Sequence, residues 1–221
     1  MNRRSFIRGA AALLAYLGCS CAPITYEIAK DQPDRRQEYI DEMVRKFPPP
    51  SNVVSIKYTK EDYYQNPHDI DLMQVMRTKL NIPSDYSLHG RIIKEPIKTE
   101  IMVYGEAFGL SEDEMISVLV DHEYFHSDMA AGDVKISISK SAYPEIIRIL
   151  DPTKDLFEIF QELEAYTNQA SNFSKRNLSC RFKQRICGAY DRYREMLSTF
   201  QETPIVYWMK TKYPSVDCGT C

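Results

Sequence analysis

Two histidines four residues apart, with a glutamate directly after the first, are the residues of this chain whose types and spacing can do chemistry. They lie in His122-Glu-Tyr-Phe-His126, an H-E-x-x-H pattern. In a helix, positions four apart project from one face a turn apart, so both imidazoles can reach a single divalent ion. Zinc suits such a pair: it takes nitrogen ligands in a tetrahedral site, with a further protein ligand and one open position. Glu123 stands beside them and can take a proton from a water that zinc has made acidic, as that water attacks a carbonyl. A pattern with three fixed positions recurs by chance, on helix surfaces where it does nothing, so its surroundings must decide. The chain has only 4 histidines, and half of them are here.

Residues 111–132 read as one helix built to carry the pattern. Ser111 followed by Glu114 is a capping box. Met115, Ile116, Leu119, Phe125 and Met129 supply apolar positions that can face a core, and no Pro or Gly interrupts 111–131. Gly132 is a suitable stop. Val118-Leu119-Val120 directly before the pattern predicts that it lies mid-helix and largely buried.

Two histidines make half a site. The metzincin arrangement, with Gly three and His six residues past the second histidine, does not occur, because those positions hold Met129 and Gly132. The remaining histidines, His68 and His89, lie upstream, so no downstream histidine exists. A carboxylate from a later helix remains. The segment Phe157-Glu-Ile-Phe-Gln-Glu-Leu-Glu-Ala-Tyr166 contains Glu162-x-x-Ala165-Tyr166. Together with H-E-x-x-H this resembles the gluzincin type of zinc metallopeptidase, in which E-x-x-A-D follows the histidine pair. The resemblance rests on two short segments, 122–126 and 162–166, and is that of a small exported member with one catalytic domain. It implies that Glu162 is the third zinc ligand, that Ala165 lets its helix pack closely on the histidine helix, and that residue 166 supports the site. Tyr166 replaces the acid of that pattern. A tyrosine hydroxyl can accept a hydrogen bond from a ligand histidine or donate one to a developing oxyanion, but brings no charge. Glu158, one turn earlier on the same face, Glu164, and Asp128 or Asp133 are the other candidate ligands. Glu164 points roughly 200° away from Glu162, so the two cannot both face the metal. The resemblance also implies an edge strand before the histidine helix that holds an extended peptide, and Ile101-Met102-Val103-Tyr104 has that place and character, as it would if it were an internal core strand.

The elements that must position these residues follow from the rest of the chain. The 221 residues are 43% apolar and 27% charged, enough for one domain with a core. A net charge of −3 argues against nucleic acid as the partner. Residues 53–58 and 97–104 read as strands, 69–80 as an amphipathic helix, and 86–93 as a further strand. Residues 134–139 read as a brief strand or loop and 143–150 as a helix. The stretch 153–199 carries helical pattern without Pro and should divide near 172–178. This gives an α+β fold: a small antiparallel or mixed sheet, then a helical half carrying the H-E-x-x-H helix and the glutamate-bearing helix. Residues 38–47 read as a short helix in a tether or lead-in spanning 22–50, with the catalytic domain at 51–221.

The first residues, MNRRSFIRGAAALLAYLGCSCAP, resemble a twin-arginine export signal, with Arg3-Arg4 before a short apolar run too short to span a bilayer. A small residue before Cys19 and before Cys21 resembles a lipoprotein processing site, so the expected location is exported and periplasmic or membrane-anchored, held by a lipid on Cys19 or Cys21 rather than by a spanning helix. Cys180, Cys187, Cys218 and Cys221 then form an even set for disulfides in an oxidising compartment. The expected function is a zinc-dependent peptidase with a peptide or protein substrate, His122, His126 and Glu162 on the metal, Glu123 as base and Tyr166 as oxyanion donor. A non-catalytic surface lipoprotein of similar fold and a zinc amidase acting on a non-peptide amide are the competing readings. Nothing in the residues speaks to oligomeric state.

Overall fold

The computed structural model describes residues 24–60, 75–81, 97–131 and 155–214. Its architecture is α+β, with a small mixed sheet followed by a helical half. Two helices come first: α1, Tyr26–Asp31, and α2, Arg36–Lys46. Among the described residues the strands are β1, Val53–Tyr58, β2, Met76–Asn81, and β3, Lys98–Val103. The sheet order is β1-β3-β2, with β1 parallel and β2 antiparallel to β3. The motif helix, α3, runs over 112–131 as an α turn at Glu112–Ile116, a π segment at Ser117–Glu123 and a further α segment at Tyr124–Ala131. Then come α4, Asp155–Ser171, α5, Cys180–Ser198, and α6, Pro204–Lys212.

Two expectations change, and one open choice closes. Residues 76–80 form a strand, not the end of a helix over 69–80. Met76, Thr78 and Leu80 alternate with Arg77 and Lys79, whose side chains are exposed, and backbone pairing with β3 favours that period of two. Residues 101–103 do not form an edge: β3 is the central strand, hydrogen-bonded on both sides. The lead-in is no tether from Ile24 onward. Ile24, Tyr26, Ala29, Tyr39, Ile40 and Met43 are all buried in the same core as the motif helix. The Tyr39 hydroxyl donates to Glu112 Oε1 at 2.6 Å, and the Tyr26 hydroxyl bonds the carbonyls of Phe108 and Leu110. The Arg36 guanidinium lies 4.6 Å from the centre of the Phe108 ring.

Other expectations stand as read. β1 covers 53–58 and β3 falls within 97–104. The long helical stretch divides between Ser171 and Cys180, where the Ser179 hydroxyl caps α5 by accepting from the Phe182 N–H. The expected elements at 86–93, 134–139 and 143–150, with Gly132, Asp133, His68, His89, Cys218, Cys221 and the export segment, lie outside the described residues.

The core sits between sheet and helices. Ile101 and Val103 on β3 meet Met115 and Leu119 on α3, and Ile159, Phe160 and Leu163 on α4 continue it toward Ile186 and Tyr190 on α5. Each is under 5% exposed. The motif helix therefore lies with the sheet on one side and α4 on the other, which is what brings Glu162 to the histidines. Among the described residues no helix is long and apolar enough to cross a membrane.

Candidate metal centre

α3 begins where the sequence places it. Ser111 Oγ accepts from the Glu114 N–H at 3.3 Å, and Glu114 Oε2 accepts from the Ser111 N–H at 2.9 Å, closing the capping box. Glu112, Asp113 and Glu114 complement the helix dipole in its first turn. The π segment, marked by the Tyr124 N–H bonded to the Leu119 carbonyl, ends on Glu123. His122 and Glu123 thus sit on widened backbone while His126 sits on ordinary α-helix, and such π insertions recur at functional sites.

Buried polar contacts fix α3 on both flanks. On the sheet side, Asn52 Nδ2 donates to the carbonyls of Ile97 at 2.8 Å and Ser127 at 2.9 Å, and the Thr99 hydroxyl meets Ser127 Oγ at 2.9 Å. The Thr78 hydroxyl lies 2.7 Å from Glu123 Oε2 and 3.2 Å from the Glu123 carbonyl. On the helical side, Asn168 Nδ2 donates to the Asp121 carbonyl at 2.7 Å, and Gln169 Nε2 reaches Ser117 Oγ at 3.2 Å. Arg176 Nε and Nη2 bond both oxygens of the Asp121 carboxylate, at 2.6 and 2.9 Å. Asp121 is the residue directly before His122, so this fork fixes the approach to the first histidine.

The three expected ligands converge. His122 Nε2 and His126 Nε2 are 3.2 Å apart. Glu162 Oε2 is 3.3 Å from His122 Nε2, and Glu162 Oε1 is 3.3 Å from His126 Nε2. Bonds of about 2.0–2.1 Å at a tetrahedral angle put neighbouring donors about 3.3 Å apart, which is the spacing found. These three are the cluster of metal-binding donors among the described residues, their ligand atoms lying within 4.8 Å of one another. The histidine side chains are 8% and 9% exposed and Glu162 17%, so the site is nearly dry but open on the glutamate side. Two neutral imidazoles and a carboxylate could hold a divalent ion here.

Charge and burial work against each other at the site. Burial alone would lower the His126 pKa, but the Glu162 charge, the hydrogen bond to it, and the Glu123 and Glu158 charges raise it above its ordinary 6.5. Burial alone would raise the Glu162 pKa, and the two histidines draw it well below its ordinary 4.5. Each partner favours the charged form of the other.

The other candidates do not join the triad. Glu164 turns away, and its carboxylate takes Lys212 Nζ and the Tyr213 hydroxyl from the end of α6. Glu158 is exposed one turn from Glu162, and Asp128 lies outside the cluster. Glu123 is 4% exposed, and its carboxylate accepts from the Thr78 hydroxyl. Tyr166 is buried, its ring centre 4.4 Å from that of His122 and tilted by 56°. The Tyr166 hydroxyl is not the partner of His122 Nδ1, which has no hydrogen-bond partner among the described residues.

The residues that the sequence reading missed are Thr78, Asp121, Arg176 and the Asn52–Thr99–Ser127 group. Asp121 adjoins the motif and could have been flagged as a buried charge seeking a partner. Thr78 fell within a segment read as helix, and nothing local marks it. Comparison with protein-family models, curated proteins and solved structures finds no match to this chain.

Proposed function

We propose that this protein is a zinc-dependent peptidase. The observation that carries the reading is the triangle of His122 Nε2, His126 Nε2 and the Glu162 carboxylate, with edges of 3.2 and 3.3 Å, directly beside a buried glutamate. These three residues would hold the ion. Zinc bound there supplies Lewis acidity, polarising a carbonyl and making water a nucleophile near neutral pH. Glu123, on the residue after His122, takes the proton from the attacking water and returns it to the leaving amine. Tyr166 acts in this reading first as a wall that holds the His122 ring against Glu162, and its hydroxyl is the candidate oxyanion donor. A peptide would lie along β2, since β3 is internal and β2 is the strand whose Thr78 touches Glu123.

Export by the twin-arginine segment and lipid anchoring at Cys19 or Cys21 belong to the same proposal. Cys180 and Cys187 are both disulfide-bonded, which supports an oxidising compartment.

One observation favours the second reading, a surface lipoprotein that binds a partner without hydrolysis. Ligand histidines nearly always donate their second N–H, and His122 Nδ1 has no acceptor among the described residues. The experiment that separates the readings is Glu123→Gln in the full chain. Zinc retained with hydrolysis of a quenched peptide library lost by at least about 100-fold supports the peptidase. Wild-type protein that holds zinc but cleaves no peptide supports the binding protein.

A further inference from the structure

The Glu123 carboxylate is held from an element other than its own helix. Thr78 lies mid-way along β2, half-buried, with its side chain on the face turned toward α3. A threonine hydroxyl has one hydrogen, so it donates to one acceptor at a time. Of its two neighbours, Glu123 Oε2 at 2.7 Å is closer than the Glu123 carbonyl at 3.2 Å, and a charged acceptor makes the stronger bond. The bond occupies one carboxylate oxygen and leaves the other to take a proton. Glu123 is 4% exposed, so bulk water does little to compete for that oxygen.

We infer that Thr78 is a positioning residue for Glu123, so that the strand beside the site, and not the motif helix alone, sets the orientation of the base. This rests on the peptidase reading. β2 is also the strand along which that reading places the substrate, and a peptide seated there would share one rigid element with the residue that aims the base. Loss of the hydroxyl then affects the rate of the chemical step rather than substrate affinity or zinc binding.

The test uses the full zinc-loaded chain in four forms: wild type, Thr78→Val, Thr78→Ser and Glu123→Ala. Valine keeps the shape and β preference of threonine without the donor, and serine keeps the donor. The probe is a quenched peptide chosen from a library on the wild type. Thr78→Val should lower kcat by about 10- to 100-fold, the size expected for one hydrogen bond to a charged group, with KM within about twofold. Thr78→Ser should recover kcat to within about threefold. Zinc stoichiometry and Tm should match wild type in both. A second readout needs no turnover: the Thr78 hydroxyl proton should be visible by NMR through slow exchange in wild type and lost in Glu123→Ala. Wild-type turnover with Thr78→Val unchanged in kcat, or a loss that serine does not recover, would overturn the role of Thr78 alone. Zinc-loaded wild type without turnover of any peptide would overturn the peptidase reading and this inference with it.

Discussion

His122 meets the ring of Tyr166 on one flank and the Glu162 carboxylate on another, while its Nδ1 meets no acceptor among the described residues. The ring of residue 166 thus packs on His122 without hydrogen-bonding its Nδ1. Tyr166→Phe should keep zinc affinity within about threefold, because the packing surface is retained, measured by competition with a chromophoric chelator. A fall in kcat of more than about tenfold in the same variant would assign the hydroxyl to the oxyanion. The pKa shifts make a second prediction. His126 is raised, so its contribution to the zinc-free fold is full below pH 6.5 and is lost as pH rises through the folded value. Glu162 is lowered, so its contribution is full above pH 4.5 and is lost as pH falls through the folded value. Both act fully between 4.5 and 6.5, and chelator-treated protein should have its highest Tm contribution from this pair there, with His126→Gln flattening the profile. Zinc takes His126 unprotonated, so the stabilisation gained on adding zinc should grow as pH rises above that window. Melting curves of treated and zinc-loaded protein against pH check both signs.

At the scale of elements, the motif helix is fixed from two sides, and on the helical side one ion pair stands beside the hydrogen bonds from Asn168 and Gln169. Arg176 sits in the turn after α4 and is 14% exposed, and Asp121 is 8% exposed. Removing one member of a buried pair strands the other, so Arg176→Ala should cost about 3–5 kcal/mol by denaturant unfolding. Because the pair adjoins His122, zinc affinity should fall as well. This also shows what was legible. The capping box, the burial of the motif and the break between α4 and α5 could be read because local residues fix them: Ser111 with Glu114, the apolar run before His122, and the residues over 172–178. Glu162 could be singled out only through the family resemblance that residues 162–166 carry. β2 could not, because Met76 fits both a helical and an alternating pattern, and only pairing with β3 decides. Thr78 and Arg176 act through partners far away in sequence, 45 and 55 residues, and no local pattern encodes those.

For the whole molecule, the boundary of the folded unit lies earlier than composition suggests. The segment over 22–50 reads as a tether or lead-in, yet Tyr26, Tyr39, Ile40 and Met43 are at most 6% exposed and seal the start of the motif helix. A chain beginning at residue 24 should fold, whereas one beginning at residue 48 should lose cooperative melting and resistance to proteolysis. At the other end, Lys212 and Tyr213 hold Glu164, two residues from Glu162, so α6 braces the helix that supplies the third ligand. Sheet, lead-in and C-terminal helix are thus all arranged around one small volume where three donors meet. The most direct measurement of that claim is the zinc content of the purified full chain by inductively coupled plasma mass spectrometry, for wild type and Glu162→Ala after equal dialysis. The predicted result is about one zinc per wild-type chain and an affinity at least about 100-fold weaker in the variant. A wild type without zinc at micromolar supply, or a Glu162→Ala protein that holds it as tightly, would contradict the account.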